Sequence, residues 1–83
     1  MLYMVELHYS QDSRDAALNY FWEHGSTHFE SKVTIKDSWV ATQDLIAYAV
    51  VDAAGPDEIA SACKPLEQFG EVSHRRVRSV DEI

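Results

Sequence analysis

A cluster of cationic side chains lies near the end of this sequence, in the stretch "SHRRVRSV". It contains His74, Arg75, Arg76 and Arg78, in a chain of 83 residues that has seven Lys and Arg residues against fourteen Asp and Glu residues. On a strand, Arg76 and Arg78 would share a face with His74, and arginines arranged in this way can bind an anion. The alternative is an edge strand whose charges prevent aggregation and pair with carboxylates of the same chain or of a partner.

Two histidines are candidates for proton transfer. His8 ends the stretch "LYMVELH", and His74 belongs to the cationic stretch. If these stretches form neighbouring strands, we expect the two histidines to lie near one another and near Glu6 or Arg76. A neutral histidine beside a carboxylate can act as a general base, and an arginine can hold a carboxylate or an enolate with two hydrogen bonds. The alternative is that they are hydrogen-bonded polar groups in a dimer interface or at a sheet edge.

Aromatic side chains could form the apolar walls of a pocket. We expect Phe21, Trp39 and Tyr48 to line such a pocket, with a few polar groups at its mouth. The alternative is that they pack in the core. Cys63 has a basic neighbour only in Lys64, so we expect a buried thiol rather than a nucleophile.

A pair of histidines raises the question of a metal site. In "HGSTH", His24 and His28 have the spacing of two ligands on one helical face. Gly25 interrupts that helix, and neither histidine has a further Cys or His at ligand spacing. We therefore expect no metal site, no cofactor and two solvated loop histidines.

The composition narrows the choice of partners. A net charge of −7 argues against nucleic acid and anionic lipid as the main partner, because both favour a positive surface. No segment approaches the roughly 20 apolar residues that span a bilayer, and the start "MLYMVELHYS" has no basic leader. The single cysteine excludes an internal disulfide and fits a reducing compartment, so we expect a cytoplasmic location with no membrane contact.

The order of predicted elements is strand, helix, strand, strand, helix, strand. The first strand is "LYMVELHY", and helix one runs from about Asp12 to His24. A hairpin of "KVTIKDSWVAT" and "LIAYAVVDA" follows, with one face formed by Val33, Ile35, Asp37 and Trp39. Helix two begins at Pro56, with Ile59, Ala60 and Cys63 facing inward, and Pro65 is expected to break it before a short turn that ends at Gly70. The cationic stretch forms the last strand.

This order predicts an α+β fold of the ferredoxin-like type, as a single domain over residues 1–83. Its four-stranded antiparallel sheet would carry both helices on one face and leave the other face open. A chain of this size buries only about 60% of the surface that its unfolded form exposes. The open face would carry an apolar patch, which we expect a second copy of the chain to cover; its candidate residues are Leu2, Met4, Val33, Trp39 and Tyr48.

The pattern resembles the dimeric α/β-barrel branch of ferredoxin-like proteins, which includes antibiotic-biosynthesis monooxygenase-like and muconolactone-isomerase-like proteins. The resemblance runs over nearly the whole chain, from "MLYMVELHYS" through "DSWVATQDLIAYAVVDA" to "FGEVSHRRVRSV". It consists of strand and helix patterns rather than a signature sequence. It implies that two sheets form a barrel in a homodimer, and that a small organic ligand lies between a sheet and its helices.

These observations lead to two functional hypotheses. In the first, the homodimer binds a small apolar or aromatic acid in a pocket between sheet and helices, and cofactor-free oxidation or isomerisation is the candidate reaction. Phe21, Trp39 and Tyr48 would form the walls, His8 or His74 would transfer a proton, and Arg76 would contact the anion. In the second, the chain is a non-catalytic dimeric module whose polar strand residues serve assembly alone.

Overall fold

The structure is a computed structural model that describes residues 1–24 and 33–82, with side chains described for 1–20 and 33–82.

The first strand lies inside the sheet, and the side chains on one face of this strand are buried. Strand β1 is Leu2–Tyr9. Four of its side chains are at most 5% exposed: Tyr3, Val5, Leu7 and Tyr9. The residues between them are less buried, which confirms the predicted alternation of the strand.

The remaining elements follow the predicted order. They are helix α1 (Arg14–His24), strands β2 (Val33–Val40) and β3 (Ile46–Ala53), helix α2 (Pro56–Cys63), a 3₁₀ turn (Lys64–Gln68), strand β4 (Gly70–Val77) and a second 3₁₀ turn (Val80–Glu82). The strands form an antiparallel sheet in the order β2-β3-β1-β4. The ferredoxin-like fold is thereby confirmed, with β2 and β4 at the sheet edges.

Both helices pack against the face of β1 that carries Tyr3 and Val5, which we call the helix face. Ile59 of α2 is fully buried there, and Ala17 of α1 is fully buried against the neighbouring part of the same face. The prediction for α2 is wrong at Ala60, which is exposed, because the residues three and four positions after Ile59 turn inward instead. Those residues are Ala62 and Cys63.

Two prolines set the limits of α2, as predicted. Pro56 occupies the first turn, where a backbone donor is not needed. The α-helix ends at Cys63, and the chain continues through Pro65 as a 3₁₀ turn in which Leu66 is buried. This turn brings the chain back to the sheet at Gly70, so its length fixes where β4 begins.

Helix α1 begins at Arg14, later than the predicted start near Asp12. Ser10 and Ser13 explain the difference, because the backbone N–H of each donates to the hydroxyl of the other, at 3.0 and 3.1 Å. Ser13 also accepts the first helical hydrogen bond, from Ala17, and its hydroxyl donates to the carbonyl of Phe69 at 2.6 Å. A closed turn therefore occupies the positions between β1 and the helix and joins the helix start to the chain just before β4.

A β-bulge in β2 changes which of its residues share a face. Ile35 pairs with Val51, but Asp37 pairs with the next residue of β3, Val50, so that Lys36 is an extra residue. Val33 and Ile35 consequently lie on the helix face. Asp37 and Trp39 lie on the opposite face, which we call the open face. The predicted common face for these four residues, and the placement of Val33 on the open face, are wrong.

Gly70 provides a test of the contact between β1 and β4. A Cβ atom at this position would overlap the carbonyl oxygen of His8 and lie 2.8 Å from the Cα of Tyr9. We expect Gly70→Ala to lower the free energy of unfolding by about 1–3 kcal/mol, because backbone atoms of a buried strand would have to move. Urea denaturation with circular dichroism measures this change.

Gly55→Ala is the matched control. Its added Cβ would meet only the end of the Glu58 side chain, at 3.2 Å, and its backbone is extended in a region open to any residue. We expect a change within about 0.5 kcal/mol. Equal effects of the two substitutions would contradict the proposed close approach at Gly70.

Candidate functional site

The edge strand β4 presents different cationic groups on its two faces. His74 pairs with Val5 and Arg76 pairs with Tyr3, both of which lie on the helix face. Arg75 pairs with Met4 on the open face. The predicted common face of His74 and Arg76 is confirmed. Arg78 lies beyond the end of β4.

His74 is held against an aromatic ring while remaining exposed. Its imidazole meets the ring of Tyr3 edge to face, with ring centroids 6.1 Å apart and an interplanar angle of 76°. Tyr3 is only 4% exposed, and its hydroxyl donates to the Met1 sulfur at 3.7 Å. A buried, fixed tyrosine thus restricts one side of an imidazole whose nitrogens can still reach a solvent-borne molecule.

Arg76 is an exposed cation beside this imidazole. Tyr3 lies directly opposite Arg76 in the strand register, so Tyr3 is a neighbour of both His74 and Arg76. No ion pair joins Arg76 to a carboxylate of the described residues. An arginine with this freedom can bind a carboxylate with two parallel hydrogen bonds. His74 and Arg76 are therefore the part of the predicted constellation that the structure brings together.

His8 does not join that group. It pairs with Ile46 on one side and Glu71 on the other, on the open face, and it is exposed. His74 pairs with Val5, which lies an odd number of positions from His8 and therefore on the opposite face. The expectation that His8 and His74 lie near one another is wrong, although their strands are neighbours as predicted.

Trp39 and Tyr48 are direct cross-strand partners on the open face. Trp39 is 51% exposed, and Tyr48 is partly buried. The expectation that both line a pocket between sheet and helices is wrong. Tyr48 pairs with Glu6 on the open face, and the bulge at Lys36 turns Trp39 to the same face. The side chain of Phe21, the third predicted wall, lies outside the residues whose side chains are described. The same holds for the two predicted loop histidines, because the side chain of His24 and the whole of His28 lie outside the described residues.

The open face combines apolar side chains with a few charges. Next to Trp39 and Tyr48 are the partly buried apolar residues Leu2, Met4, Ile46 and Val50. Glu6, opposite Tyr48, has an ion pair with Arg75 at 3.7 Å, in which the Glu6 side chain is 24% exposed and the Arg75 side chain 71% exposed. Sequence reasoning did not identify Arg75 as the ion-pair partner of Glu6, because this contact depends on the register of β1 with β4.

A groove of about 500 Å³ lies at the end of the sheet where β2 connects to β3. It is bounded by the start of α1, with Gln11 and Arg14, and by residues 40–45 between β2 and β3. None of the predicted site residues lines it. Sequence reasoning did not find this groove because its lining comes from loop residues without a distinctive spacing.

Among the residues whose side chains the structure describes, two titratable groups have shifted pKa values. The hydrogen bond from the Met1 ammonium, at 2.9 Å, lowers the pKa of Asp52 at the rim of the open face. Burial raises the pKa of the Cys63 thiol to about 11, with a further contribution from the charge of Glu67. Cys63 is 3% exposed, which confirms the prediction of a buried thiol. Within the described residues, no group of three His, Cys, Asp or Glu side chains is arranged to hold a metal.

The fold and these surfaces define a small α+β protein of the ferredoxin-like type, and no helix in its described part is long and apolar enough to cross a membrane. Over residues 1–83 the chain matches the family described as "Domain of unknown function (DUF3303)". The chain belongs to this family. No curated protein and no solved structure matches it.

The raised pKa of Cys63 predicts a pH dependence of stability. The unfolded thiol ionises around its ordinary pKa of 9.0, whereas the folded thiol stays protonated until about pH 11. The unfolded state therefore loses its proton first, so the free energy of unfolding should fall as pH rises through this window, by about 2 kcal/mol. Urea denaturation at a series of pH values, compared with Cys63→Ala, measures this effect.

In Cys63→Ala the thiol contribution is absent, while the other groups that titrate at high pH are unchanged. The difference in unfolding free energy between the two proteins should be constant below pH 8 and should shrink above pH 9. A constant difference across the whole range would show that Cys63 ionises equally in both states.

Proposed function

We propose that the protein is a homodimer, assembled open face to open face, that binds a small apolar or aromatic acid at the exposed margin of β4. The observation that carries the binding proposal is that Arg76 and His74 share one face of β4, where His74 contacts the buried Tyr3 ring and Arg76 is the cross-strand partner of Tyr3. Arg76 would hold the carboxylate of the ligand, and the exposed His74 imidazole, whose position the buried Tyr3 ring restricts, would contact its apolar part. A cytoplasmic location belongs to this proposal and is supported by a single, buried thiol.

Exposure of the open face supports the homodimer. Its apolar residues lie on β1, β2 and β3, and the Trp39 side chain among them is 51% exposed. A contiguous apolar face of this kind is typical of an interaction surface. Because the helices already occupy the other face of the sheet, a second sheet is the element whose shape and periodicity match it best.

Isomerisation is the reaction that best fits the proposed binding site. The imidazole of His74 could take a proton from a carbon beside the bound carboxylate and return it to another carbon of the same molecule. The substrate keeps all its atoms and electrons in such a step, and Arg76 would stabilise the enolate that forms between the two transfers. Cofactor-free oxidation would require molecular oxygen as a further reactant.

A non-catalytic dimeric module is the second candidate function. It is favoured by the distribution of the predicted site residues, because His8, Trp39 and Tyr48 all lie on the open face. In a face-to-face dimer these residues would serve assembly, and the cations of β4 would protect its edge. The two candidates differ in whether Arg76 and His74 bind a ligand.

Replacement of Trp39 tests the dimer. We expect the wild-type protein to sediment as a dimer at micromolar concentration, and Trp39→Lys to weaken the dimer by about tenfold to a hundredfold, because a charge would replace a large exposed aromatic side chain of the open face. Val80→Lys is the matched control, since Val80 is 84% exposed and lies outside the sheet. A monomeric wild-type protein, or an equal effect of both substitutions, would exclude the open face as the dimer surface.

Replacement of Arg76 tests acid binding, with benzoate as the probe and benzamide as its neutral counterpart. We expect Arg76→Gln to lower benzoate affinity by about tenfold to a hundredfold, because a charge-assisted hydrogen bond is lost. Benzamide binding should change little. Calorimetric titration, or chemical-shift changes near Tyr3 and His74, measure both affinities.

Arg14→Gln is the control for this experiment, since it removes the same charge near the opposite end of the sheet. It should leave benzoate binding unchanged. If wild-type protein does not bind benzoate more tightly than benzamide, or if Arg14→Gln and Arg76→Gln lose affinity equally, Arg76 is not the anion contact and the non-catalytic module is favoured.

A further inference from the structure

We propose that the twofold axis of the homodimer runs along the strands, so that Arg75 of each protomer pairs with Asp37 of the partner subunit. This inference rests on the proposed open-face dimer and specifies how the two copies fit together. It follows from the order in which charged and apolar side chains cross the open face.

Two neighbouring rows of side chains contain the relevant charges. Across the sheet from β2 to β4, one row is Asp37, Val50, Met4 and Arg75. The next row is Trp39, Tyr48, Glu6 and Ser73. The first row thus has an anion at one edge of the sheet, a cation at the other edge and apolar groups between them.

A twofold axis parallel to the strands exchanges the edges of the sheet and keeps each row at its level. The β2 strand of one protomer then faces the β4 strand of the other, and Arg75 meets the partner's Asp37 at both ends of the row. Met4 meets the partner's Val50, so the middle of the row is apolar. Packed sheets are rotated by about 30°, which shifts the edge rows by only about one residue and stays within reach of an arginine side chain.

The adjacent row is also complementary under this axis. Glu6 faces the partner's Tyr48, whose hydroxyl can donate a hydrogen bond to the carboxylate. Arg75 of the same chain already lies 3.7 Å from Glu6. The carboxylate, which is only 24% exposed in one chain, would therefore be satisfied when the second sheet covers it.

An axis perpendicular to the strands gives a much poorer match. It places each strand over its own copy and, when it passes between the two rows described above, interchanges them. Asp37 then faces the partner's Trp39, Arg75 faces the partner's Ser73, and Glu6 faces the partner's Met4. Charges covered without an opposite charge are costly, so this arrangement is disfavoured.

The sheet edges are compatible with the axis along the strands, but the choice of axis rests on the charges, because an axis perpendicular to the strands also brings antiparallel edges together. Within one sheet β2 and β4 run in opposite directions, as the alternating antiparallel order requires. An axis along the strands preserves these directions, so β2 of one protomer lies beside an antiparallel β4 of the other. The backbone groups along both edges, which pair with no other strand of the described residues, can then form hydrogen bonds that close the barrel.

The test exchanges the two charges in separate chains. In Asp37→Arg both positions are cationic, and in Arg75→Asp both are anionic, so each homodimer would contain two repulsive pairs. We expect each variant alone to dimerise about tenfold or more weakly than wild type. When the two variants are mixed, each of the two contacts of the mixed dimer joins an arginine of the Asp37→Arg chain to an aspartate of the Arg75→Asp chain. A heterodimer of higher affinity than either homodimer should therefore form. Native mass spectrometry distinguishes the three dimers by mass.

The mixing experiment separates contacts between chains from effects inside each chain, such as repulsion between Glu6 and the carboxylate that Arg75→Asp introduces. Such internal effects are the same in the homodimer and the heterodimer, because each chain keeps its own neighbours. The milder variants Asp37→Asn and Arg75→Gln keep the question answerable if a charge-reversed chain does not fold; their effects on dimer affinity should be less than additive in the double variant.

The outcomes separate this inference from the dimer proposal. If wild type is dimeric but mixing the variants gives no preference for the heterodimer, and the neutral variants are additive, the axis is wrong and the open-face dimer survives. If wild type is monomeric, both proposals fail. Preferential heterodimer formation supports both.

Discussion

The helices cover one face of a four-stranded sheet, and the strands must therefore present their other side chains on an uncovered face. In β1 the two faces differ sharply, since Tyr3, Val5 and Leu7 are almost completely buried while Glu6 and His8 are not. The helix face supplies the core of the single chain. Apolar residues on the open face cannot contribute in the same way until another surface removes them from water. This division of the sheet explains why function and assembly have to be argued face by face.

Local patterns in the sequence were sufficient to predict the fold. The strict alternation in β1, Pro56 at the start of α2 and Pro65 at its end each act on their immediate neighbours, and the structure confirms all three. The bulge at Lys36 could not be predicted in the same way, because it depends on how two strands match along their full length. "KVTIKDSWV" reads as a regular strand when taken alone. One additional residue then moved Asp37 and Trp39 to the face opposite Val33.

The candidate site shows the same limit. That His74 and Arg76 share a face follows from their spacing on one strand, and the structure confirms it. Whether His8 and His74 share a face depends on the register between β1 and β4, which is set by the turn through Pro65 and by the close approach at Gly70. A shift of one residue would have reversed the answer, and no signal within either strand determines it.

The adjacent arginines of β4 show how an acidic protein can use its few cations on two surfaces. Arg75 lies on the open face beside Glu6, and Arg76 lies on the helix face beside His74. Two copies with a net charge of −7 each repel one another at long range, but salt screens such repulsion over about 8–10 Å. Salt weakens the attraction between two opposite charges in direct contact much less. A single cation placed against an anion across the contact surface can therefore favour association of two like-charged chains. The next residue of the same strand points to the other side of the sheet, where it can bind a ligand.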